Sequence, residues 1–471
     1  MKFSINKITT NYTDTLAQYI LDLKYDQLPA EVVNRAKKIA LHAIAAALAA
    51  NGVPMSGRAI ELGRQFNGGE QGTATAWISG TRLSMANAAF VNGAITDMLD
   101  WEDCSWTGHP SAGVIPSAWA CCEGQKKSGK DFITAVVAGY EVYQRIAMAI
   151  QNPKGQAAGN GWGLTSWQIF AALVPAIKLF DLDLERANQA LGFGTAASTI
   201  CGCLHHTTMS DAYHYLHGFR ARDGIELALT AKSGVENYQD CFDDPKAYAV
   251  HMTPDHRPEW YTKELGERYL ILDTLLKHWP ANMWNQTAVE LAYVMTEKYG
   301  ISPEDIDEII LDPPTQLRMA IRPEGYTSLT QAQFSIPFCI AAMLYDRTPG
   351  AQWYSAENMK DPKVLALAQR VKSGPSEQHT LGGSFIIWQN GSYPMKTMTI
   401  KTKNGKVYEE QMDTHPGHPQ QMMSWEELGS RFRIQSASVL TPAQQDAAIS
   451  AIEKLEDCGD LSTICHLFAR Q

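Results

Sequence analysis

Helical periodicity limits the fold of this chain more than any other feature. Apolar residues recur about every 3.6 positions through the first half, and almost no period-2 alternation precedes residue 300. The predicted helices are Thr13–Leu23, Pro29–Ala50, Met55–Phe66, Arg82–Leu99, Pro116–Ser128, Asp131–Gln151, Ser166–Phe180, Leu184–Gly192 and Gly218–Ser233. We therefore expect a mainly α fold with a large all-helical domain.

The pattern changes after Tyr261. Ile306–Leu311 predicts a strand, and TMTIKTKNGKVYEEQM predicts a hairpin that turns at Asn404-Gly405, because a type I′ turn needs positive φ at both central residues. Further helices are predicted at Gln331–Leu344, Ala356–Val371, Thr441–Leu455 and Leu461–Ala469. The sequence thus predicts a helical domain formed by both chain ends, residues 1–260 and 413–471, with a smaller α+β lid domain inserted at 261–412. A small-molecule site is expected in the cleft between them.

Composition limits the classes of binding partner and the cellular compartment that we expect for this protein. The 471 residues include 40 basic and 50 acidic side chains, a net charge of −10, which disfavours nucleic acid or an anionic membrane as partner. Met1–Leu23 lacks the pattern of a secretory signal, and no window approaches the roughly 20 apolar residues of a membrane span. The nine scattered cysteines suggest reduced thiols, so we expect a cytoplasmic protein.

The densest group of titratable residues lies in NGAITDMLDWEDCSWTGHPSAGVIPSAWA, residues 92–120. Asp97, Asp100, Glu102 and Asp103 crowd a predicted helix C-terminus, where acids cost stability unless a cation or proton compensates. His109 follows, and a carboxylate beside a histidine can hold its tautomer and make it an acid or base near neutral pH. The alternatives are a solvated helix end and a magnesium site. The sequence offers no second acidic cluster that would complete the magnesium site.

Two other segments could supply cations. His214 and His217 are three residues apart and share a helical face close to Arg220 and Arg222. This segment is either a positively charged surface that binds a carboxylated ligand or an ordinary polar helix face. Lys277 has apolar neighbours and is either a snorkelling side chain or a desolvated cation that binds a substrate carboxylate or acts as a base.

Two weaker groups complete the candidates. Arg318 and Arg322 follow the predicted strand and either reach the cleft or stay on the surface. The segment Cys201–His206 holds thiols and imidazoles that could bind zinc, but no second pair completes a tetrahedral site, so packing is the preferred interpretation. The chain also has no GxGxxG after a strand, no GxxxxGK[ST] and no GxSxG, which favours proton transfer without a cofactor.

Four segments, VNGAITDMLDWEDCSWTGHPSAGVIPSA, LHGFRARDGIELAL, KHWPANMWNQTAVELA and HPGHPQ, resemble the MmgE/PrpD family along nearly the whole chain. Its members include 2-methylcitrate dehydratase, cis-aconitate decarboxylase and iminodisuccinate epimerase. The resemblance implies a helical domain with an inserted lid, a cleft active site and a homodimer. It also implies that Asp100 and His109 correspond to the acid and the histidine of the family's motif, and that Lys277 corresponds to a lysine at the lid boundary. Asp103 and Cys104 lie where the family often has an acid followed by a threonine.

The chain departs from the family pattern at three positions. Gly163 stands where many members have a histidine, His214 where they have a lysine, and Met319 where they have a tyrosine. The pocket is therefore altered, and the resemblance implies the type of chemistry and not the substrate.

The predicted function is that of a lyase, a dehydratase or decarboxylase, which moves a proton next to a carboxylate of a small di- or tricarboxylic acid. The predicted catalytic residues are His109, Asp100, Lys277 and His214, with His109 oriented by Asp100 or Asp103. Substrate contacts are predicted from Asp103, Cys104, His217, Arg322 and Trp101, with neither metal nor cofactor. The alternatives are an epimerase or isomerase, and a family member that binds a ligand without turnover.

Overall fold

A computed structural model describes residues 8–69, 71–151, 166–198, 209–315, 319–377 and 394–470. Its α-helices are α1 (Tyr12–Asp22), α2 (Ala30–Ala49), α3 (Pro54–Phe66), α4 (Met85–Asp97), α5 (Ser111–Gln125), α6 (Gly129–Ile150), α7 (Ile169–Leu179), α8 (Leu184–Ala197), α9 (Ala212–Lys232), α10 (Tyr248–Met252), α11 (Gln286–Tyr299), α12 (Leu329–Gln333), α13 (Ile336–Tyr345), α14 (Pro362–Ala368), α15 (Trp425–Ser436) and α16 (Pro442–Glu453). The predicted mainly α fold is confirmed.

Short strands join segments that are distant in sequence. They are β1 (Ala74–Thr75), β2 (Arg82–Leu83), β3 (Asp103–Cys104), β4 (Leu275–Leu276), β5 (Ile306–Asp312), β6 (Val371–Ser373), β7 (Lys396–Thr402) and β8 (Val407–Met412). β1 pairs with β2 and β3 with β4, while the other four form one sheet in the order β6-β5-β7-β8. Within this sheet only the β5–β6 pair is parallel. The predicted strand and hairpin are confirmed, and Gly405 in the turn has φ 85°.

Local chemistry explains where several helices begin. Ser84 caps α4 by accepting a hydrogen bond from the Asn87 amide, so the helix predicted from Arg82 starts three residues later, after a strand. The helix predicted from Pro116 instead begins at Ser111, because the Asp103 carboxylate accepts a hydrogen bond from the Ser111 amide.

Four other predicted helices differ from the structure, and one of them, Gln331–Leu344, is two helices, α12 and α13. The helix predicted from Gly218 begins at Ala212, six residues earlier, and therefore includes both His214 and His217. The helix predicted over Ala356–Val371 ends earlier, because Val371 lies in a strand. The predicted helix Leu461–Ala469 is two short 3₁₀ turns.

Two hydrophobic cores organise the described chain. The larger core unites α1–α9 with side chains from Met423 to Phe468 near the C-terminus. The smaller core consists mainly of side chains between Trp279 and Ile400, joined by the ends of α2 and α4. The seven described cysteines are free. The boundaries of the helical and lid domains stay predictions.

No single helix in the described segments has both the length and the apolarity of a membrane span. α2 and α3 meet that test only as a pair, with a bend of 102° between them.

Candidate active site

Strand pairing brings Lys277 to the acid-rich end of α4. In the antiparallel β3–β4 pair, Asp103 lies opposite Leu276, so continuing the register by one residue places Lys277 opposite Glu102. The fully buried Lys277 Nζ lies 2.8 Å from Glu102 Oε1 and also donates to Asp100 Oδ1. Burial would lower the pKa of Lys277, but Asp100 and Glu102 raise it above its usual value. Lys277 is thus a desolvated cation that compensates the acids.

The backbone around Asp100 turns in a left-handed conformation. Its φ is 49°, a region that aspartate tolerates better than most residues, and its amide donates to the Asp97 carbonyl at 2.8 Å. The Asn282 side-chain amide donates to Asp100 Oδ2 at 3.2 Å. This turn ends α4 and directs two successive acids, Asp100 and Glu102, at the same lysine.

Gly417 supports the strand that precedes Lys277. Its carbonyl accepts a hydrogen bond from the Leu276 amide at 2.9 Å, its φ is 93°, and an added Cβ would lie 1.9 Å from the Leu276 carbonyl oxygen. We expect Gly417→Ala to lower the free energy of unfolding by more than the roughly 1–3 kcal/mol of backbone strain alone. Gly405→Ala is the matched control, because Gly405 has φ 85° with nothing within 4 Å of an added Cβ. Equal urea midpoints for the two variants would contradict this.

His109 is enclosed by carboxylates on one side and a phenol on the other. Its Nδ1 donates to Glu102 Oε1 and lies 3.0 Å from Asp97 Oδ1, while its Nε2 is 2.8 Å from the Tyr213 hydroxyl. Burial and the charge of Lys277 would lower the pKa of His109, but Glu102 and Asp97 outweigh them and raise it to about 10. At neutral pH His109 is therefore an imidazolium with two N–H donors, and the Tyr213 oxygen accepts from Nε2.

The two acids that hold His109 differ in proton affinity. Burial and the charge of Asp97 raise the pKa of Glu102 to about 7, although Lys277 and His109 partly offset this effect. Burial would also raise the pKa of Asp97, but His217, His109 and the hydrogen bond from His214 hold it well below its usual value. Asp97 is thus a fixed anion, and Glu102 is poised to exchange a proton near neutral pH.

Helix α9 presents two buried histidines to Asp97. His214 Nδ1 donates to Asp97 Oδ2 at 2.6 Å; burial would lower its pKa, but Asp97 raises it above the usual value. His217 Nε2 lies 3.5 Å from Asp97 Oδ1, and burial lowers its pKa to about 4. His214 therefore holds its proton more tightly than an ordinary histidine, and His217 holds its proton less tightly. The nearby Arg220 and Arg222 pair with Asp223 instead of joining this cluster.

Asp103 does not orient His109 as predicted. Its carboxylate accepts hydrogen bonds from the Ser111 amide and the Tyr140 hydroxyl, so it fixes the start of α5. Asp100 Oδ1 is 3.8 Å from His109 Nδ1, farther than Asp97 or Glu102. The neighbouring Cys104 is buried with its Sγ 3.3 Å from Met283 Sδ.

Trp101 and Arg322 are not joined to this cluster by their side chains. The Trp101 indole donates to the His278 carbonyl at 3.1 Å and lines another cavity. Among the described residues, the Arg322 guanidinium makes no hydrogen bond or ion pair with the acids. Gly163, Arg318 and the predicted Cys201–His206 group lie outside the described residues.

Asp97, Glu102 and Tyr213 were not among the predicted site residues. The first two belong to the acid-rich stretch already singled out. Tyr213 precedes His214 and lies four residues before His217 in α9, so the same helical spacing that linked the histidines could have indicated it.

Among the residues that the structure describes, two groups of side chains are close enough to share a metal ion: Asp97, His109 and His217, and Asp97, Asp100, Glu102 and His109. The second set fits Mg²⁺ poorly, because Lys277 already contacts Asp100 and Glu102 and an imidazolium cannot act as a ligand. The residues present are better suited to neutralising one another.

The pKa of His109 predicts how stability changes with pH. Its pKa is about 10 in the folded protein against 6.5 as the ordinary value, so the folded state binds this proton more tightly. This contribution is complete below about pH 6.5 and is lost as the pH rises towards 10. We expect the urea midpoint of the wild type to fall more steeply between pH 7 and pH 10 than that of His109→Asn. Parallel profiles would contradict a protonated His109.

The fold and this cluster define a mainly helical protein with a buried centre of acids, histidines and one lysine. Residues 14–261 match the MmgE/PrpD N-terminal domain, and residues 279–457 match the MmgE/PrpD C-terminal domain. The chain belongs to the MmgE/PrpD family.

Similar proteins include three cis-aconitate decarboxylases. The protein from Mus musculus is 24% identical over 480 residues, covering 97% of this chain and 93% of the relative. The protein from Homo sapiens is 22% identical over 473 residues, with coverages of 97% and 94%. The protein from Aspergillus terreus is 24% identical over 404 residues, with coverages of 79% and 80%.

Proposed function

We propose that this protein is a cofactor-independent lyase that decarboxylates a small unsaturated tricarboxylic acid of the cis-aconitate type. The names of its relatives support the decarboxylase assignment. The structural observation that supports this proposal most is the position of His109, an imidazolium held between Glu102 and Tyr213 beside the buried cation Lys277. Such a site offers a proton and positive charge where a carboxylate substrate needs both.

In the proposed reaction, the bond between a carbon and its carboxylate breaks and carbon dioxide leaves. The electron pair stays on that carbon and is delocalised towards a neighbouring carboxylate, whose charge Lys277 and His214 stabilise. A proton from His109 Nε2 then forms the new C–H bond. Asp97 and Glu102 hold the ring through Nδ1, and Nε2 takes a new proton from solvent, which returns the site to its starting charge.

Glu102 supports epimerisation or dehydration as the second candidate. Both reactions begin by removing a proton, and Glu102 has a pKa of about 7. Its Oε2 atom is buried and has no hydrogen-bond partner among the described residues. A carboxylate with a free oxygen at this pKa is suited to act as a base.

Proton NMR in deuterated water tests these candidates. We expect cis-aconitate, in a panel of small di- and tricarboxylic acids, to lose one carboxylate and gain one deuterium for each turnover. Deuterium exchange at one carbon without loss of carbon dioxide would identify the epimerase, and loss of water the dehydratase. Thermal stabilisation by these acids with neither turnover nor exchange would indicate a binding protein and overturn the proposal.

Metal removal provides an independent prediction. Because Lys277 occupies the position between Asp100 and Glu102, we expect extensive dialysis against EDTA to leave turnover unchanged. Loss of activity that added Mg²⁺ restores would contradict this and favour the magnesium-dependent alternative.

A further inference from the structure

A partly open cavity lies next to the acid-rich motif. It has a volume of about 160 Å³ and is lined by Trp101, His278, Trp279, Tyr293, Arg347, Pro349, Arg431 and Ile434. Trp101 stands between Asp100 and Glu102, and His278 follows Lys277, so two lining residues are chain neighbours of the active-site cluster. Their side chains line this separate cavity.

Arg431 lines the cavity from α15, and it forms no direct ion pair with the described residues, although the charges of Glu290 and Glu427 act on it from farther away. Its Nη2 donates to the His278 carbonyl, but its Nε is buried and has no hydrogen-bond partner in the part of the chain that the structure describes. Within the described segments, no carboxylate lies within ion-pair distance of it. The Glu290 Oε2 atom is bound by His278 Nδ1 at 2.6 Å and Trp279 Nε1 at 2.8 Å. A buried guanidinium with an unsatisfied donor is costly unless a ligand completes it.

Arg347 adds a second positive charge at the mouth of the cavity. Its Nη2 donates to Thr296 Oγ1 at 3.0 Å, and its guanidinium lies 5.4 Å from the Tyr293 ring centre. Its one ion pair among the described residues is with Glu297, at 3.2 Å, and Glu297 is 59% exposed, so solvent screens this pair. Two arginines therefore face one small space and are not fully neutralised.

The walls between the arginines are flat and apolar. Trp279 stacks on Trp353 with ring centres 5.8 Å apart and an interplanar angle of 18°, which fixes its orientation. The Trp101 ring lies 5.8 Å from the Arg431 guanidinium. Aromatic walls favour a planar body, and guanidinium groups favour a carboxylate that can accept two parallel hydrogen bonds.

We propose that this cavity is a second carboxylate site, distinct from the active site, which binds a small planar carboxylate with an aromatic or conjugated body. The carboxylate binds between Arg431 and Arg347, and the planar body lies against Trp101 and Trp279. The His278 carbonyl, which both Trp101 and Arg431 contact, connects this site to Lys277, the preceding residue. The proposal does not depend on which reaction the active site catalyses.

Calorimetric titration with benzoate tests this site, with benzamide as its uncharged analogue. We expect the wild type to bind benzoate, and Arg347→Gln to weaken binding roughly 10- to 100-fold, the loss expected for hydrogen bonds between charged groups. Arg433→Gln is the matched control, because Arg433 lies two residues beyond Arg431 in α15, is exposed and pairs with Asp446. His109→Asn tests whether benzoate instead occupies the active site.

The proposal is supported if Arg433→Gln and His109→Asn bind benzoate like the wild type while Arg347→Gln does not. Unchanged thermal unfolding of Arg347→Gln shows that the loss is local, and Arg431→Lys, which keeps the charge but not the fork of donors, provides a second measurement. The proposal is overturned if the wild type gives no binding heat at millimolar benzoate. It is equally overturned if benzamide binds as tightly, or if His109→Asn abolishes binding.

Discussion

Replacing Lys277 with methionine is expected to abolish turnover and to lower the free energy of unfolding by about 3–5 kcal/mol, the usual cost of removing one partner of a buried ion pair. Lys277 is fully buried between Asp100 and Glu102, and methionine preserves much of its volume without its charge. The two carboxylates would then be buried without their cation. Urea unfolding and a decarboxylation assay measure the two effects separately.

Lys401→Met is the matched control for this experiment. Lys401 is 43% exposed and pairs with Glu308 at 2.9 Å, so its loss should change stability by no more than about 1 kcal/mol. Adding Glu102→Gln to Lys277→Met removes one of the two uncompensated charges, and we expect it to recover part of the stability and none of the turnover. If Lys277→Met unfolded at the same urea concentration as Lys401→Met, Lys277 would not be the compensating cation.

Replacing His109 with asparagine is expected to reduce turnover by about 10²- to 10⁴-fold, the range of general acid–base catalysis. Asparagine can still donate one hydrogen bond towards Glu102 or Asp97, but it cannot deliver a proton. We therefore expect the loss in kcat, with a much smaller change in KM. Steady-state kinetics with the substrate found by NMR provides the measurement.

The exposed His466 supplies the comparison, since His466→Asn should retain full turnover. If the enzyme with His109→Asn worked at near wild-type rate, His109 would be excluded from proton transfer. A fall in stability without a change in kcat would make it a structural residue only.

The sequence predicted the helices well where apolar periodicity and caps agree, as in α6, where Ser128 and Asp131 form a capping box. It misplaced the start of α5, because Pro116 suggested a first turn while the group that fixes the true start is Asp103, a side chain from outside the helix. Such contacts depend on tertiary structure and have no local signature.

Only part of the candidate site could be predicted, because its contacts also depend on tertiary structure. The crowding of acids at a helix end identified the stretch, and apolar flanks identified Lys277. The pairing of His109 with Glu102 and Asp97 depends on the left-handed turn at Asp100, which lies between these two acids. Periodicity cannot reveal which of four neighbouring carboxylates such a turn brings to the imidazole.

The pairing of β3 with β4 joins residues that are synthesised at different times. Asp100 and Lys277 are 177 residues apart, so at a synthesis rate of about 5–20 residues per second the acids leave the ribosome roughly 10–35 s before their lysine. During that interval His109 can already contact Asp97 and Glu102, but Asp100 lacks the lysine that compensates its charge. The charge balance of the active site is therefore completed only after Lys277 has been synthesised.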